Sequence, residues 1–123
     1  MNKVFVTFAL IAVFSSAGGA EKSFPEHRPI AGVYKIYGGG LGDETLPTKR
    51  DKKIMFSLTG TSAKNLFNSI GPDVHDICTE GQGIRVRRKD KGRLSCLRET
   101  DGQYRCNFGF DLTTGRSIGG SVC

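Results

Sequence analysis

The sequence predicts an α+β fold: a small antiparallel sheet of five or six strands, one short helix packed on it, and two disulfides. Three observations predict this fold. Several short runs alternate apolar and polar residues, which is the period of a half-buried strand. One run repeats apolar residues at helical spacing, and the 123-residue chain carries an even number of cysteines, four, towards its C-terminal end.

The first twenty residues, MNKVFVTFALIAVFSSAGGA, have the order of a secretory signal peptide. A lysine precedes an uncharged apolar run at residues 4–14, and small residues follow as far as Ala20. The run of about eleven residues is shorter than the roughly 20 that cross a bilayer as a helix. We therefore expect cleavage after Ala20, a single exported domain over residues 21–123, and no membrane span in the mature chain.

The strands are predicted from alternation of apolar and polar residues, with glycine, proline and charged residues between them. They lie at residues 33–37, in the run KIMFSLTG with Ile54, Phe56 and Leu58 on one face, at 84–88, 93–99 and 104–112, and more weakly at 117–122.

One short helix is predicted over residues 62–70, with Thr61 or Ser62 as its cap and Gly71-Pro72 as its stop. Its apolar positions follow the i, i+3, i+4, i+7 spacing of one helix face: Ala63, Leu66, Phe67 and Ile70. A helix of this length is not stable alone, so we expect that stripe to lie on the sheet.

Two glycine turns predict the register of the C-terminal strands. KDKGR and ETDGQ each suit a three-residue hairpin loop with Gly92 or Gly102 in the left-handed conformation. This register sets Leu94 opposite Phe108 and Cys96 opposite Cys106. The strand at 104–112 then has an apolar face and a polar face.

The cysteines are predicted to form two disulfides, because the exported compartment is oxidising and a small domain gains from cross-links. A two-residue turn at Thr114-Gly115 would set Cys106 opposite Cys123, which leaves Cys78 to pair with Cys96. We favour this pairing because it ties down the C-terminal end. The alternative joins Cys96 to Cys106 and Cys78 to Cys123, and the sequence alone excludes neither.

The run GIRVRRKDKGRLSC is the strongest concentration of positive charge in a chain of net charge +6. By alternation Arg85, Arg87 and Lys89 share one side of a strand, and Arg93 begins the next strand, so these four form a candidate anion-binding face. A single-stranded nucleic-acid platform would also need exposed aromatic residues among the charges. We expect the aromatic residues on the opposite, core-facing side, so a solvated hairpin face is favoured over a nucleic-acid site.

The two histidines are weak candidates for catalysis. His27 and His75 could act as the acid and base of a secreted nuclease, but nothing in their spacing brings them together. HDIC lacks the second pair of ligands that a zinc site needs, and YGGGLGDE matches no phosphate-loop pattern. We expect no catalytic residue, no metal and no cofactor.

These observations predict a secreted or periplasmic, non-catalytic binding module whose partner is a protein or an anionic polymer outside the cytoplasm. Nucleic acid is a less favoured partner. The competing hypothesis is a small basic nuclease or other hydrolase that uses His75. The two hypotheses differ in where His75 lies: an enzyme needs it in a cleft beside basic residues, whereas a binding module allows it on a convex loop.

Overall fold

The computed structural model describes residues 24–123, together with Val13 and Gly18. The predicted signal peptide therefore lies almost wholly outside the described residues. Within residues 24–123, seven strands and one α-helix form the α+β fold that the sequence predicts. They are β1 (Ala31–Gly40), β2 (Asp43–Thr45), β3 (Lys53–Thr59), α1 (Gly60–Ser69), β4 (Arg85–Lys89), β5 (Leu94–Arg98), β6 (Tyr104–Asp111) and β7 (Ser117–Ile118).

The strands form one antiparallel sheet in the order β2-β1-β3-β6-β5-β4, and β7 extends the edge of β6 beyond β5. The six predicted strands all correspond to strands of this sheet. The additional strand, β2, has three exposed residues and lies within the loop predicted between the first two strands. It pairs with the last three residues of β1.

The helix packs on one face of the sheet, which we call the helix face. Ala63 and Phe67 are buried there against Leu58, and the disulfide between Cys96 and Cys106 completes the core. The helix begins two residues earlier than predicted, with Thr59 at the N-cap and no side-chain capping bond. Instead of capping, the Ser62 hydroxyl donates to the carbonyl of Thr59. The predicted apolar stripe and its position on the sheet are confirmed.

The opposite face of the sheet, the far face, is covered near β4 by the segment that follows the helix and by the C-terminal residues. Val74 forms an isolated bridge with Val86, whose side chain is buried. The disulfide between Cys78 and Cys123 joins the two covering segments, with 5.6 Å between the Cα atoms. Two disulfides are compatible with an oxidising compartment.

The favoured disulfide pairing was wrong, and the alternative pairing is present. The expected turn at Thr114-Gly115 is wider than two residues, because Phe110 pairs with Ser117 and the Asp111 amide donates to the carbonyl of Arg116. This register is shifted by two residues from the one that opposes Cys106 and Cys123. The chain also leaves the ladder after Ile118, so its end reaches the far face instead of the face on which Cys106 lies.

The two glycine turns differ from each other. The β5–β6 turn is as predicted: Cys96 pairs with Cys106, and Gly102 is left-handed at φ 84°. The β4–β5 turn is one residue longer than predicted, because Lys89 pairs with Leu94. Its four residues 90–93 include Asp90 and Lys91 at φ 53° and 56° as well as the left-handed Gly92.

Candidate functional site: an open aromatic face

The helix covers only one end of its sheet face. A ten-residue helix is about 15 Å long and about 10 Å wide, whereas six strands at about 4.8 Å spacing span roughly 24 Å. The part of the face beyond the helix is apolar. We call it the open aromatic face, and it comprises Tyr34, Ile36, Ile54, Phe56, Phe108 and Phe110.

The strand register aligns these side chains in two rows across the sheet. Tyr34 lies opposite Phe56, which lies opposite Phe108, and the next row has Ile36, Ile54 and Phe110 in the same order. The Phe56 and Phe108 rings are stacked with centroids 5.1 Å apart, and the Tyr34 ring lies 6.4 Å from that of Phe56. The face is therefore a packed aromatic layer and not a set of scattered side chains.

Much of this layer is exposed to solvent. The exposed fraction is 67% for Tyr34, 45% for Ile36 and 37% for Phe110. The other members of the layer are partly buried by one another. Contiguous exposed apolar surface is uncommon on soluble domains and marks interaction sites.

The first two arginines of the basic run face this same side of the sheet, beside the helix. Arg87 is opposite Cys96, and its guanidinium lies 4.3 Å from the centroid of the Phe67 ring. The Arg85 guanidinium lies 5.4 Å from the same ring. The expectation that aromatic residues lie on the other side of the sheet from these arginines was therefore wrong. The expectation failed because Val86, the buried residue of β4, faces the far side of the sheet, so Arg85 and Arg87 on either side of it face the helix.

Asp73 neutralises much of this charge. Its carboxylate accepts hydrogen bonds from Arg85 Nε at 2.7 Å and from Arg87 Nε at 2.7 Å. These bonds lower the pKa of Asp73 to about 2. Arg87 also donates to the Phe67 carbonyl, and its side chain is only 18% exposed, so it is a structural residue and not part of a solvated surface.

The other arginines of the run are also paired. Arg88 lies on the far face and bonds the buried Asp76. Burial raises the pKa of Asp76, but hydrogen bonds from Thr79 and Arg88 outweigh that effect, so the pKa is lowered overall. Arg93 pairs with Asp90 in the turn at 3.2 Å. Of the four residues predicted to bind anions, Lys89 alone has no ion pair within residues 24–123.

His75 lies on an exposed loop. Its side chain is 76% exposed, and its Nε2 atom is 3.3 Å from Glu80. It does not line the cavity of about 380 Å³ on the far face, whose polar lining includes Asp76, Arg88, Lys91, Ser95 and Asn107. His27 lies in the exposed segment that precedes β1. The structure does not bring the two histidines into one cleft.

Within residues 24–123 no group of three histidine, cysteine, aspartate or glutamate side chains is arranged to hold a metal ion. No helix in that part of the chain is long and apolar enough to cross a membrane.

Sequence reasoning missed the open aromatic face, although one signal for it was present. Three runs, AGVYKIYG, KIMFSLTG and YRCNFGFDL, each alternate large apolar residues on one face. The only helix predicted had four apolar positions, which is too few to cover all three strands.

The chain matches no protein-family model, no curated protein and no solved structure.

Proposed function

We propose that this protein is a secreted or periplasmic, non-catalytic binding module that recognises a partner protein through its open aromatic face. The observation that carries the proposal is the exposed aromatic layer in which the Phe56 ring stacks on that of Phe108 and contacts those of Tyr34 and Phe110. Aromatic side chains on a rigid sheet provide a large contact area at little cost in conformational entropy, and they are enriched where proteins bind one another.

The position of His75 favours binding over hydrolysis. A general base must lie within hydrogen-bonding reach of a substrate that other groups hold in place. His75 is on an exposed loop beside a carboxylate, and the nearby Arg85 and Arg87 are already bound to Asp73. Export is supported by the signal-like N-terminal segment of the sequence, together with the two disulfides.

The experiment is a comparison of proteins captured from envelope extract or culture fluid by the full chain, expressed for export with its disulfides formed. Phe110→Ser removes a ring from the open aromatic face. Val122→Ser is the matched control, because Val122 is 66% exposed but lies beside the far-face cavity.

We expect a partner that is retained by the natural chain and by Val122→Ser and lost by Phe110→Ser, and a purified complex whose affinity falls in the same variant. If Phe110→Ser captures the same proteins with the same affinity, the open aromatic face is not the binding surface and the proposal fails.

A second candidate partner is an anionic polymer such as single-stranded nucleic acid. The observation that favours it is that Lys89, which has no ion pair among the described residues, borders the helix face on the outermost strand. Each phosphate contact that salt displaces weakens such binding, so a salt titration of the natural chain and of Lys89→Ala measures it. Affinity that survives physiological salt and falls in Lys89→Ala would favour this candidate over a protein partner.

A further inference from the structure

The strand β1 has an unpaired edge. It pairs with β3 along residues 31–37, but β2 pairs with its other side only at Gly38, Gly39 and Gly40. Within residues 24–123 no strand lies beside residues 32–37 on that side. The residue just before this stretch has a side-chain partner, because the Ala31 amide donates to Ser62 Oγ at 3.3 Å.

This edge lacks the features that usually prevent strands from pairing between molecules. Edges that are protected from such pairing are short, carry proline or unpaired lysine, or are covered by another element. β1 has ten residues and no proline, and its single charged residue, Lys35, is bound to Glu44 at 2.5 Å. The apolar side chains beside the edge are open, with Val33 69% and Tyr34 67% exposed.

We propose that β1 pairs with β1 of a second copy of this chain, antiparallel, about a two-fold axis at Tyr34. A two-fold axis that makes the two β1 strands antiparallel is perpendicular to the sheet. The helix faces of the two copies therefore lie on the same side of the joined sheet. Directly opposite residues in antiparallel strands point to the same side. Each residue of one copy must therefore lie opposite a residue of the second copy whose side chain points to the same face of the sheet. An axis at Tyr34 meets this condition, and Tyr34 is the centre of residues 31–37.

The resulting contacts are complementary in size and charge. Gly32 lies opposite Ile36 of the second copy, so the large isoleucine side chain lies beside a glycine, which has no side chain. Val33 lies opposite Lys35 of the second copy, so the two lysines do not face each other. This self-complementarity is the reason for choosing a second copy over a strand from another protein. The two open aromatic faces join on one side, with the two Tyr34 rings adjacent at the axis.

This inference does not depend on the proposed function, because it concerns the backbone edge of β1. It is tested by sedimentation of the full chain, expressed for export and oxidised, over a series of concentrations. Hydrogen–deuterium exchange at low and high concentration locates the contact. Two variants place a lysine on either side of the strand, Val33→Lys and Tyr34→Lys, and Phe110→Lys is the control on the aromatic face away from the edge.

We expect a monomer–dimer equilibrium in which exchange slows with concentration at residues 32–36. Tyr34→Lys opposes two like charges and Val33→Lys opposes Lys35, so each should raise the dissociation constant on the order of ten-fold, while Phe110→Lys leaves it unchanged. A chain that remains monomeric at its highest soluble concentration would overturn the proposal. Equal weakening by Phe110→Lys would also overturn it, because association would then be through the faces and not the edges.

Discussion

Arg87 connects the strand β4 to the helix. Its guanidinium lies over the Phe67 ring and its Nη1 atom donates to the Phe67 carbonyl at 3.0 Å, which is near the C-terminal end of α1. The Phe67 carbonyl also accepts a hydrogen bond from the Ile70 amide at 3.3 Å, and a positive charge at this end interacts favourably with the helix dipole. One side chain thus supplies a hydrogen bond, a cation–π contact and a favourable charge.

Replacing Arg87 by alanine should lower the free energy of unfolding by about 1–3 kcal/mol, because a largely buried charged hydrogen bond and a cation–π contact are lost together. Lys89→Ala is the control, since Lys89 is exposed on the same side of the same strand. Urea denaturation of the two variants measures the difference. Equal stability of both variants would mean that Arg87 is as solvated as Lys89.

Asp73 gives the stability a dependence on acidic pH. Its pKa is about 2 in the folded chain, against an ordinary value of 3.8, because Arg85 and Arg87 bond to the carboxylate. A lowered folded pKa contributes stability above the unfolded pKa, and that contribution is lost as the pH falls from about 4 towards about 2. Asp73→Asn should therefore reduce the loss of stability over this range. Denaturation curves measured between these pH values test it, and an unchanged slope would contradict it.

The helix is the element that completes the core. Phe67 is 1% exposed and touches the Tyr104 ring edge-on, with centroids 5.3 Å apart. Phe67→Ala should destabilise the protein by about 3–5 kcal/mol, because its truncation leaves a cavity between helix and sheet. Lys64→Ala, on the exposed side of the same helix, should change the free energy of unfolding little. Similar effects of the two substitutions, measured by chemical denaturation, would mean that another face of the helix is buried.

The elements could largely be predicted from the sequence because their signals are local. The stripe containing Ala63 and Phe67 predicted the helix and the face that it buries. The ETDGQ turn predicted the strand register in which Cys96 lies opposite Cys106, because a three-residue loop with a left-handed glycine admits one register. The KDKGR turn was one residue wrong, since Asp90 and Lys91 adopt left-handed conformations that non-glycine residues rarely take.

For the whole molecule, the disulfide pairing can be tested by mapping peptides from unreduced protein. Trypsin cleaves after lysine and arginine, so the four cysteines fall in four different peptides. We expect the peptide ending at Arg98 linked to the one starting at Cys106, and the C-terminal peptide linked to the one containing Cys78. Thiol titration of the unfolded, unreduced protein should find no free sulfhydryl. A peptide joining Cys78 to Cys96 would contradict this arrangement.

The sequence by itself determined the α+β class, the principal strands, the helix and its buried stripe, and the presence of two disulfides. Each follows from periodicity, turn chemistry or cysteine number, which act over a few residues or over composition. Only the tertiary structure decided which cysteines pair, that Arg87 packs on Phe67, and that the aromatic layer around Phe56 remains open. All three features depend on which face of the sheet the helix and the C-terminal end reach. Long connections between elements do not fix that face, so it is decided by packing in the folded chain.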